Sequence, residues 1–516
     1  MTQRIRLSEE NRRWWTLGAM CFALFMVMLD NTVVNVALPS IQRDFNASIS
    51  SLEWTVNAYT LVFAVLLVTG GRLGDIFGRV RMFLFGVVVF ALSSAAIGLA
   101  PDDTWLVAGR ALQGVGAAFM MPGTLSIISN AFPPAERGKA IGTWAGVSAI
   151  ALALGPLLGG WLTEDVSWRA IFFLNLPVAV GAIAVTLFAA HESRDETVSR
   201  TVDIPGIAAL TIGLTALVLA LVEGNAWGWG SPGILALLAA AAAALVAFVA
   251  IERRSPAPIV DFDFFRSRSF VGANIVAFAV SFSMLAVFFF LTLYMQNILG
   301  YSPLEAGVRF LPSTLIIIVA GPVAGRLTDR IGPRPLITAG MVLVTISLLW
   351  QSRLQVDSSY LFLLPAFMIL GVGMGLVMSP MSTAAMNAVD RTKAGVASGT
   401  LSMSRMVGGT FGVAVLGALI ATVGRHDLAQ SLPRLPDATR ERLVDGLGSG
   451  AGTQGAPAQV VDAAHVAFVD ALSTALTLSA AAAALAAVLA WLLLSPGRPA
   501  GPVAVPVEAE AQPVAA

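Results

Sequence analysis

The stretch from Gly71 to Arg81, G-R-L-G-D-I-F-G-R-V-R, returns in altered form as G-R-L-T-D-R-I-G-P-R from Gly325 to Arg334. Gly71 and Gly325, Asp75 and Asp329, and Gly78 and Gly332 all keep one offset of 254 residues. Glu136-Arg137-x-Lys139 and Asp390-Arg391-x-Lys393 keep it as well, so the only two lysines are expected at equivalent positions. Unrelated loops rarely share an offset, and the repeat implies an internally duplicated architecture. Each copy is a short, polar, glycine-punctuated hinge between two long apolar runs. That is the form expected of a cytoplasmic connection between membrane helices.

The chain has 516 residues, 57% hydrophobic and 12% charged, where a soluble domain carries about 25% charged residues. Apolar runs of roughly 18 to 25 residues recur, long enough to cross ~30 Å of hydrocarbon. Fourteen spans are expected near 14–38, 53–71, 82–100, 104–126, 139–161, 169–190, 204–223, 232–251, 270–294, 304–325, 335–352, 360–383, 396–421 and 468–494. They must be helices, because an open chain in lipid has to satisfy its own backbone hydrogen bonds. The first run, from near Trp14, continues too far for a short cleavable leader. Cys21, the single cysteine, allows no disulfide or thiolate metal site and reads as a small buried residue.

The basic residues set the orientation. With the N-terminus inside, 21 of the 31 face the cytoplasm and eight face outward, four of those in one long loop; Arg110 and Arg405 fall inside spans. Both termini are then cytoplasmic. Eight spans separate the two hinges where a plain six-span duplication would leave six, so spans 7 and 8, after the charged linker His191–Asp203, are the extra pair. The expected plan is all-α, six plus two plus six. It comprises a cytoplasmic N-terminus 1–13, a six-helix bundle 14–190, and a linker with two extra helices 191–268. A second bundle 269–494 follows with a long outer loop 424–467, then a tail 495–516 whose Pro/Ala composition reads as disordered.

In this order the motifs resemble the major facilitator superfamily and, within it, the fourteen-span drug:proton antiporters. Gly71–Arg81 is similar to the superfamily's loop signature between spans 2 and 3. L-D-N-T-V-V-N-V-A-L-P (Leu29 to Pro39), R-A-L-Q-G-V-G-A-A (Arg110 to Ala118) and G-P-L-L-G-G (Gly155 to Gly160) resemble its first-, fourth- and fifth-span motifs. W-R-A-I-F-F-L-N-L-P (Trp168 to Pro177) and Y-M-Q-N-I-L-G-Y-S-P-L-E-A-G (Tyr294 to Gly307) are similar to the fourteen-span branch. The resemblance covers roughly residues 14 to 421, more weakly the last span. It implies a major facilitator fold in the inner (cytoplasmic) membrane, working by alternating access.

Asp30 is the only carboxylate deep in a span, ~12 Å below the outer surface by helical rise, and Arg110 lies ~9 Å below the same surface. Desolvation disfavours the ionised carboxylate while a guanidinium favours it. Proton and substrate are therefore expected to compete at Asp30 with Arg110 as tuner; a static structural pair is the alternative. By resemblance, Asp75 with Arg79 meets the N-terminal end of span 13 near Gly395 and stabilises the outward-open state, and Asp329, Arg330 and Arg334 do so less strongly. A solvated turn is the bland alternative. Gly155, Pro156, Gly159 and Gly160 are expected to make a tight contact with a helix of the opposite half, sealing against proton leak, or else plain packing. Arg405, without an evident acidic partner, is expected to snorkel toward the cytoplasm, with a cavity role as alternative.

Candidates for an apolar, adaptable substrate cavity are Phe119, Phe282, Tyr294, Met374 and Met378, with Asn35, Asn57, Gln113, Gln296 and Arg405 as polar contacts. Later spans lack the extra acids of some fourteen-span relatives, which disfavours multivalent cations. No phosphate-cradling loop is present, the three histidines have no metal spacing, and no nucleophile–base set appears. A non-enzymatic exporter of amphipathic compounds is expected, driven by the proton gradient, with no cofactor, metal or nucleic-acid partner and a monomeric working unit. A single-compound exporter and a non-transporting receptor or assembly partner stay open.

Overall fold

The structure is a computed structural model describing residues 8–45, 49–194, 203–255, 258, 262–433, 435, 436, 439, 440, 443, 444 and 456–495. Among these lie fourteen long helices. The first six are α1 (Glu9–Phe45), α2 (Ile49–Phe77), α3 (Arg79–Gly98), α4 (Asp103–Ala131), α5 (Pro134–Asp165) and α6 (Asn175–Ala189). The extra pair is α7 (Ile204–Trp227) and α8 (Pro232–Glu252). The last six are α9 (Arg268–Leu293), α10 (Leu311–Ile331), α11 (Pro333–Gln351), α12 (Tyr360–Asn387), α13 (Ala394–Ser431) and α14 (Ala458–Leu493). Thirteen are long and apolar enough to cross a membrane by length and composition; the other, α5, has 32 residues.

Helix starts follow local chemistry. Asp102 accepts the Trp105 N–H at 2.7 Å and Ser231 accepts that of Ile234 at 3.3 Å, each satisfying a first-turn donor. Pro134, Pro232 and Pro333 stand at first helical positions, where no N–H is needed.

The two six-helix bundles repeat one packing scheme. In the first, α4 receives α2 and α3, while α1 lies on α5 and α6; in the second, α12 receives α10 and α11, while α9 lies on α13 and α14. The halves meet along two seams, α2 against α13 and α5 against α10. The extra helices α7 and α8 pack on each other, and α7 leans on both α2 and α13, so it touches both halves.

Several boundaries differ from the sequence expectation. Helix α1 begins at Glu9, α13 continues to Ser431, and α14 begins at Ala458. The outer loop expected over 424–467 is thereby shortened from both sides. The reason is burial: Leu428 of α13 and Ala464 and Ala467 of α14 pack with Leu443 and Val444. The tail expected to be disordered lies, from residue 496, outside the described residues.

Candidate functional site: an inner gate and a buried charge network

The hinge residues gather at the cytoplasmic ends of the two seams. Asp75, near the end of α2, accepts the backbone N–H groups of Gly395 at 3.0 Å and Val396 at 2.9 Å, in the first turn of α13. A carboxylate there meets free donors and the positive end of the helix dipole. Arg79 Nη2 pairs with Asp75 at 2.7 Å and also donates to the Thr392 carbonyl at 2.5 Å, across the seam. Both side chains are buried. Asp390 beside them accepts the Thr392 N–H and hydroxyl, both at 2.8 Å, and the N–H above all holds its carboxyl below the usual range. Gly71 lies so close to the Gly395 carbonyl that a Cβ would overlap it.

The second seam has the same plan with fewer ties. Asp329 accepts from Gly138 N at 3.1 Å and Lys139 N at 3.2 Å, and Gly325 abuts the Gly138 carbonyl. Pro333 stands where the first copy has Arg79, so the ion pair is not repeated. Arg330 is exposed and Arg334 stacks on Trp491, 4.1 Å from the ring centre. Both fall outside the role expected for them. Arg137 ties α5 to Asn387 at the end of α12 instead, and holds the Ser129 carbonyl at 2.9 Å. Gly78 (φ 113°) and Gly332 (φ 83°) turn the chain at both hinges in a region that side chains disfavour.

The seams also correct the pairing of the lysines. The α2–α13 seam uses Gly395 and Gly399, and the α5–α10 seam uses Gly138 and Gly142. These equivalents are 257 residues apart, three more than the hinges, so Lys139 and Lys393 are about one turn out of register. Sequence identity over so short a run had matched charge type and missed the three-residue insertion.

Asp30 lies inside the first bundle, 4% exposed, with both oxygens occupied. Arg110 Nη1 binds Oδ2 at 2.6 Å, while Gln113 Nε2 at 2.9 Å and Asn175 Nδ2 at 3.0 Å bind Oδ1. Arg110 also donates to Gln113 Oε1 at 2.6 Å and to the Thr55 carbonyl at 3.1 Å, and stacks on Tyr59 at 4.2 Å. Ser94 takes the second Asn175 contact at 2.9 Å and donates to the Phe172 carbonyl at 2.9 Å. The network joins α1, α3, α4 and α6 and reaches α2. A crevice lined by Asp30 itself with Leu29, Val33, Val34, Ile171, Leu174 and Asn175 has no room for water. In this conformation the carboxylate therefore faces neither lipid nor an open vestibule. Ser94 carried no sequence signal; it gains meaning only from the crossing of α3 and α6.

Gly155 and Gly159 pack on Thr32 and Val33 of α1, within the same half. Gly160 faces open space, and the side chain of Pro156 lies outside the described residues. The expected contact with the opposite half is thus corrected: in α5 that role belongs to Gly138 and Gly142, one face round and nearer the cytoplasm.

The cavity candidates disperse. Phe119 stacks edge-on against the exposed Phe85 of α3, turned away from the seams. Tyr294 is buried with its hydroxyl donating to the Gln355 carbonyl at 2.7 Å, an anchor between outer segments. Met374 is buried in the core; Met378, Asn57 and Gln296 are half-buried; the side chain of Asn35 lies outside the described residues. Phe282 stacks on Phe278 of α9. Arg405 lies in mid-span, half-buried, on an otherwise buried face of α13 whose glycines pack on α2 and α9. The linker holds a residue that sequence reasoning passed over. Glu192 accepts from Val80 N at 3.0 Å and Arg81 N at 3.1 Å, capping α3, and Ser193 O accepts from Arg79 N at 3.0 Å.

The Major Facilitator Superfamily model matches residues 20–413. This chain belongs to the Major Facilitator Superfamily. Among curated relatives of this transporter, the tetracenomycin C resistance and export protein of Streptomyces glaucescens is 37% identical, covering 93% of this chain and 91% of that one. The puromycin resistance protein pur8 of Streptomyces alboniger is 40% identical over 80% of this chain and 84% of its own. The multidrug resistance protein Stp of Mycobacterium tuberculosis is 37% identical over 83% and 80%. The fold of the human organic anion transporter MFSD10 superposes with a TM-score of 0.62 at 14% identity, covering 94% of this chain and all of that one. The proton:xylose symporter XylE gives 0.60, also at 14%, over 95% and 97%.

Proposed function

We propose that this transporter is a proton-coupled exporter of amphipathic drugs or antibiotics across the inner membrane. The observation that carries the reading is the Asp30–Arg110 pair, a lone mid-span carboxylate held by four helices of one half while the cytoplasmic gate is shut. A proton arriving from outside neutralises Asp30 and leaves Arg110 with only Gln113, the Thr55 carbonyl and Tyr59. Breaking a buried pair from one side costs about 3–5 kcal/mol, comparable to the few kcal/mol that separate two conformers. The bundle then relaxes by letting α1 move against α4, which loosens the seams and opens the inner face to substrate. Both oxygens of Asp30 are already occupied, so the competition at this carboxylate takes a narrower form. The proton acts on the pair directly, and the substrate acts through the position of the helices.

Relatives that resist or export antibiotics at this identity and coverage support the direction of transport. The test is dye efflux from everted vesicles with and without a protonophore, using Asp30→Asn. Export by wild type that collapses with the protonophore and is lost in Asp30→Asn supports the reading; proton-driven export persisting in Asp30→Asn overturns it. A second reading, export of one compound only, is favoured by two of these relatives being named for one antibiotic each. A resistance profile in a pump-deficient host separates the two.

A further inference from the structure

Arg405 is a mid-membrane charge that the proton cycle above leaves unused. On α13, Ala394, Ser398, Leu401, Gly408, Gly412 and Leu416 follow one another at helical spacing, and all six are buried. Arg405 takes the place between Leu401 and Gly408 on that stripe, yet it is only half-buried. Phe411, although partly exposed, meets the rings of Phe278 and Phe282 on α9, with ring centres 6.0 and 6.3 Å apart. On the cytoplasmic side of Arg405, Gly399 touches α2 at Leu67 and Val68; on the outer side, Gly408 and Gly412 touch α9 at Phe278 and Phe282. Arg405 thus sits at mid-depth on α13, half-buried, between the turn that touches α2 and the turns that touch α9.

Among the described residues it makes no hydrogen bond, ion pair or ring contact. Helices α9, α11 and α12 carry no Asp or Glu, and α13 carries none before Asp427. Arg110, the other mid-span cation, is already matched by Asp30. Among the described residues Arg405 is therefore a positive charge without a countercharge, on a planar, five-donor group, in a setting where charges are stable only when paired. The stacked rings of Phe278 and Phe282 lie on the neighbouring helix.

We propose that Arg405 is a substrate-binding residue that takes the carboxylate or phenolate of an amphipathic monoanion, whose aromatic body lies toward α9. This rests on the transporter reading above and deepens it by naming the charge class of the cargo. It also adds a driving force: an anion leaving a cell that is negative inside moves down the membrane potential.

The test is equilibrium binding of fluorescein, an aromatic anion, and ethidium, an aromatic cation, to the purified full-length protein, followed by vesicle export of both. Wild type is expected to bind fluorescein at least tenfold more tightly than Arg405→Gln does, Arg405→Lys to recover part of that, and ethidium binding to be unchanged or tighter in Arg405→Gln. Absence of fluorescein binding by wild type, equal affinity in Arg405→Gln, or an equal loss for both dyes in a variant of unchanged melting temperature overturns the proposal. Binding needs no gradient, so fluorescein binding that survives alongside protonophore-insensitive export would sink the antiport reading and leave this one standing.

Discussion

Asp30 and Asp75 are both buried carboxylates paired with arginine, and they answer different questions. The bonds of Asp75 to two helix N–H groups cross from one half to the other, so separating α2 from α13 must break them and they report on conformation. Such a contact is worth about 0.3–1 kcal/mol when exposed and up to ~2 when partly buried. Asp75→Asn is therefore expected to shift the conformer ratio roughly tenfold toward inward-open, read as faster labelling of a cysteine placed on the cytoplasmic face of α13; unchanged labelling would remove Asp75 from the gate. Asp390, adjacent to the gate, is held below the ordinary carboxylate range by its bonds to Thr392. A lowered folded value means its contribution is present above about pH 4 and lost only as pH falls further. Between pH 6 and 8 it stays ionised, so Asp390→Asn is expected to leave the pH dependence of transport in place. A profile that moves with that substitution would make Asp390 a sensor.

At the scale of the helix, glycine position decides which elements can touch. Gly138 abuts the Gly325 carbonyl, so Gly138→Ala must push α5 from α10, while Gly160 faces nothing within 4 Å. Gly138→Ala is expected to favour the inward-open form strongly and Gly160→Ala to be nearly neutral, in the same labelling assay. Equal effects would show that the seam is not packed as described. The cap on α3 is another element-scale device. Three N–H groups at the first hinge go to Glu192 and Ser193, whereas the second hinge has Pro333 and Pro335 and lacks two of those donors. Loss of a cap costs about 1 kcal/mol, so Glu192→Ala is expected to lower the melting temperature by a degree or two. Restoration by Glu192→Asp would not be complete, because the shorter side chain reaches one N–H. The linker is thus fastened to the hinge, and the extra pair it leads to touches both halves through α7.

The molecule as a whole is shut on one side by ties between halves: Asp75 and Arg79 to α13 and its approach, Asp329 to α5, and Arg137 to Asn387. With Cys21 replaced by serine, the pair Arg137→Cys and Asn387→Cys, too far apart for a direct disulfide across the length of an arginine side chain, is expected to be bridged by a reducible bifunctional thiol reagent, stop export, and release it on reduction. Export unaffected by the cross-link would mean that this gate need not open. The fourteen long helices, the extra pair and the meeting of Asp30 with Arg110 were legible in the chain, because membrane insertion is read from local hydropathy and charge and needs no tertiary partner. The register of the two seams, the partner of Gly155, the turning away of Phe119 and the recruitment of Ser94 and Glu192 were not legible. Each depends on which face of one helix meets which face of another, and a single apolar span looks the same from every side until its neighbours are in place. The sequence by itself thus set the inventory of helices and of mid-span charges. Only the tertiary structure decided that Asp30 is enclosed by its own half and which faces of α2, α5, α10 and α13 meet, because helix packing depends on partners that no single span encodes.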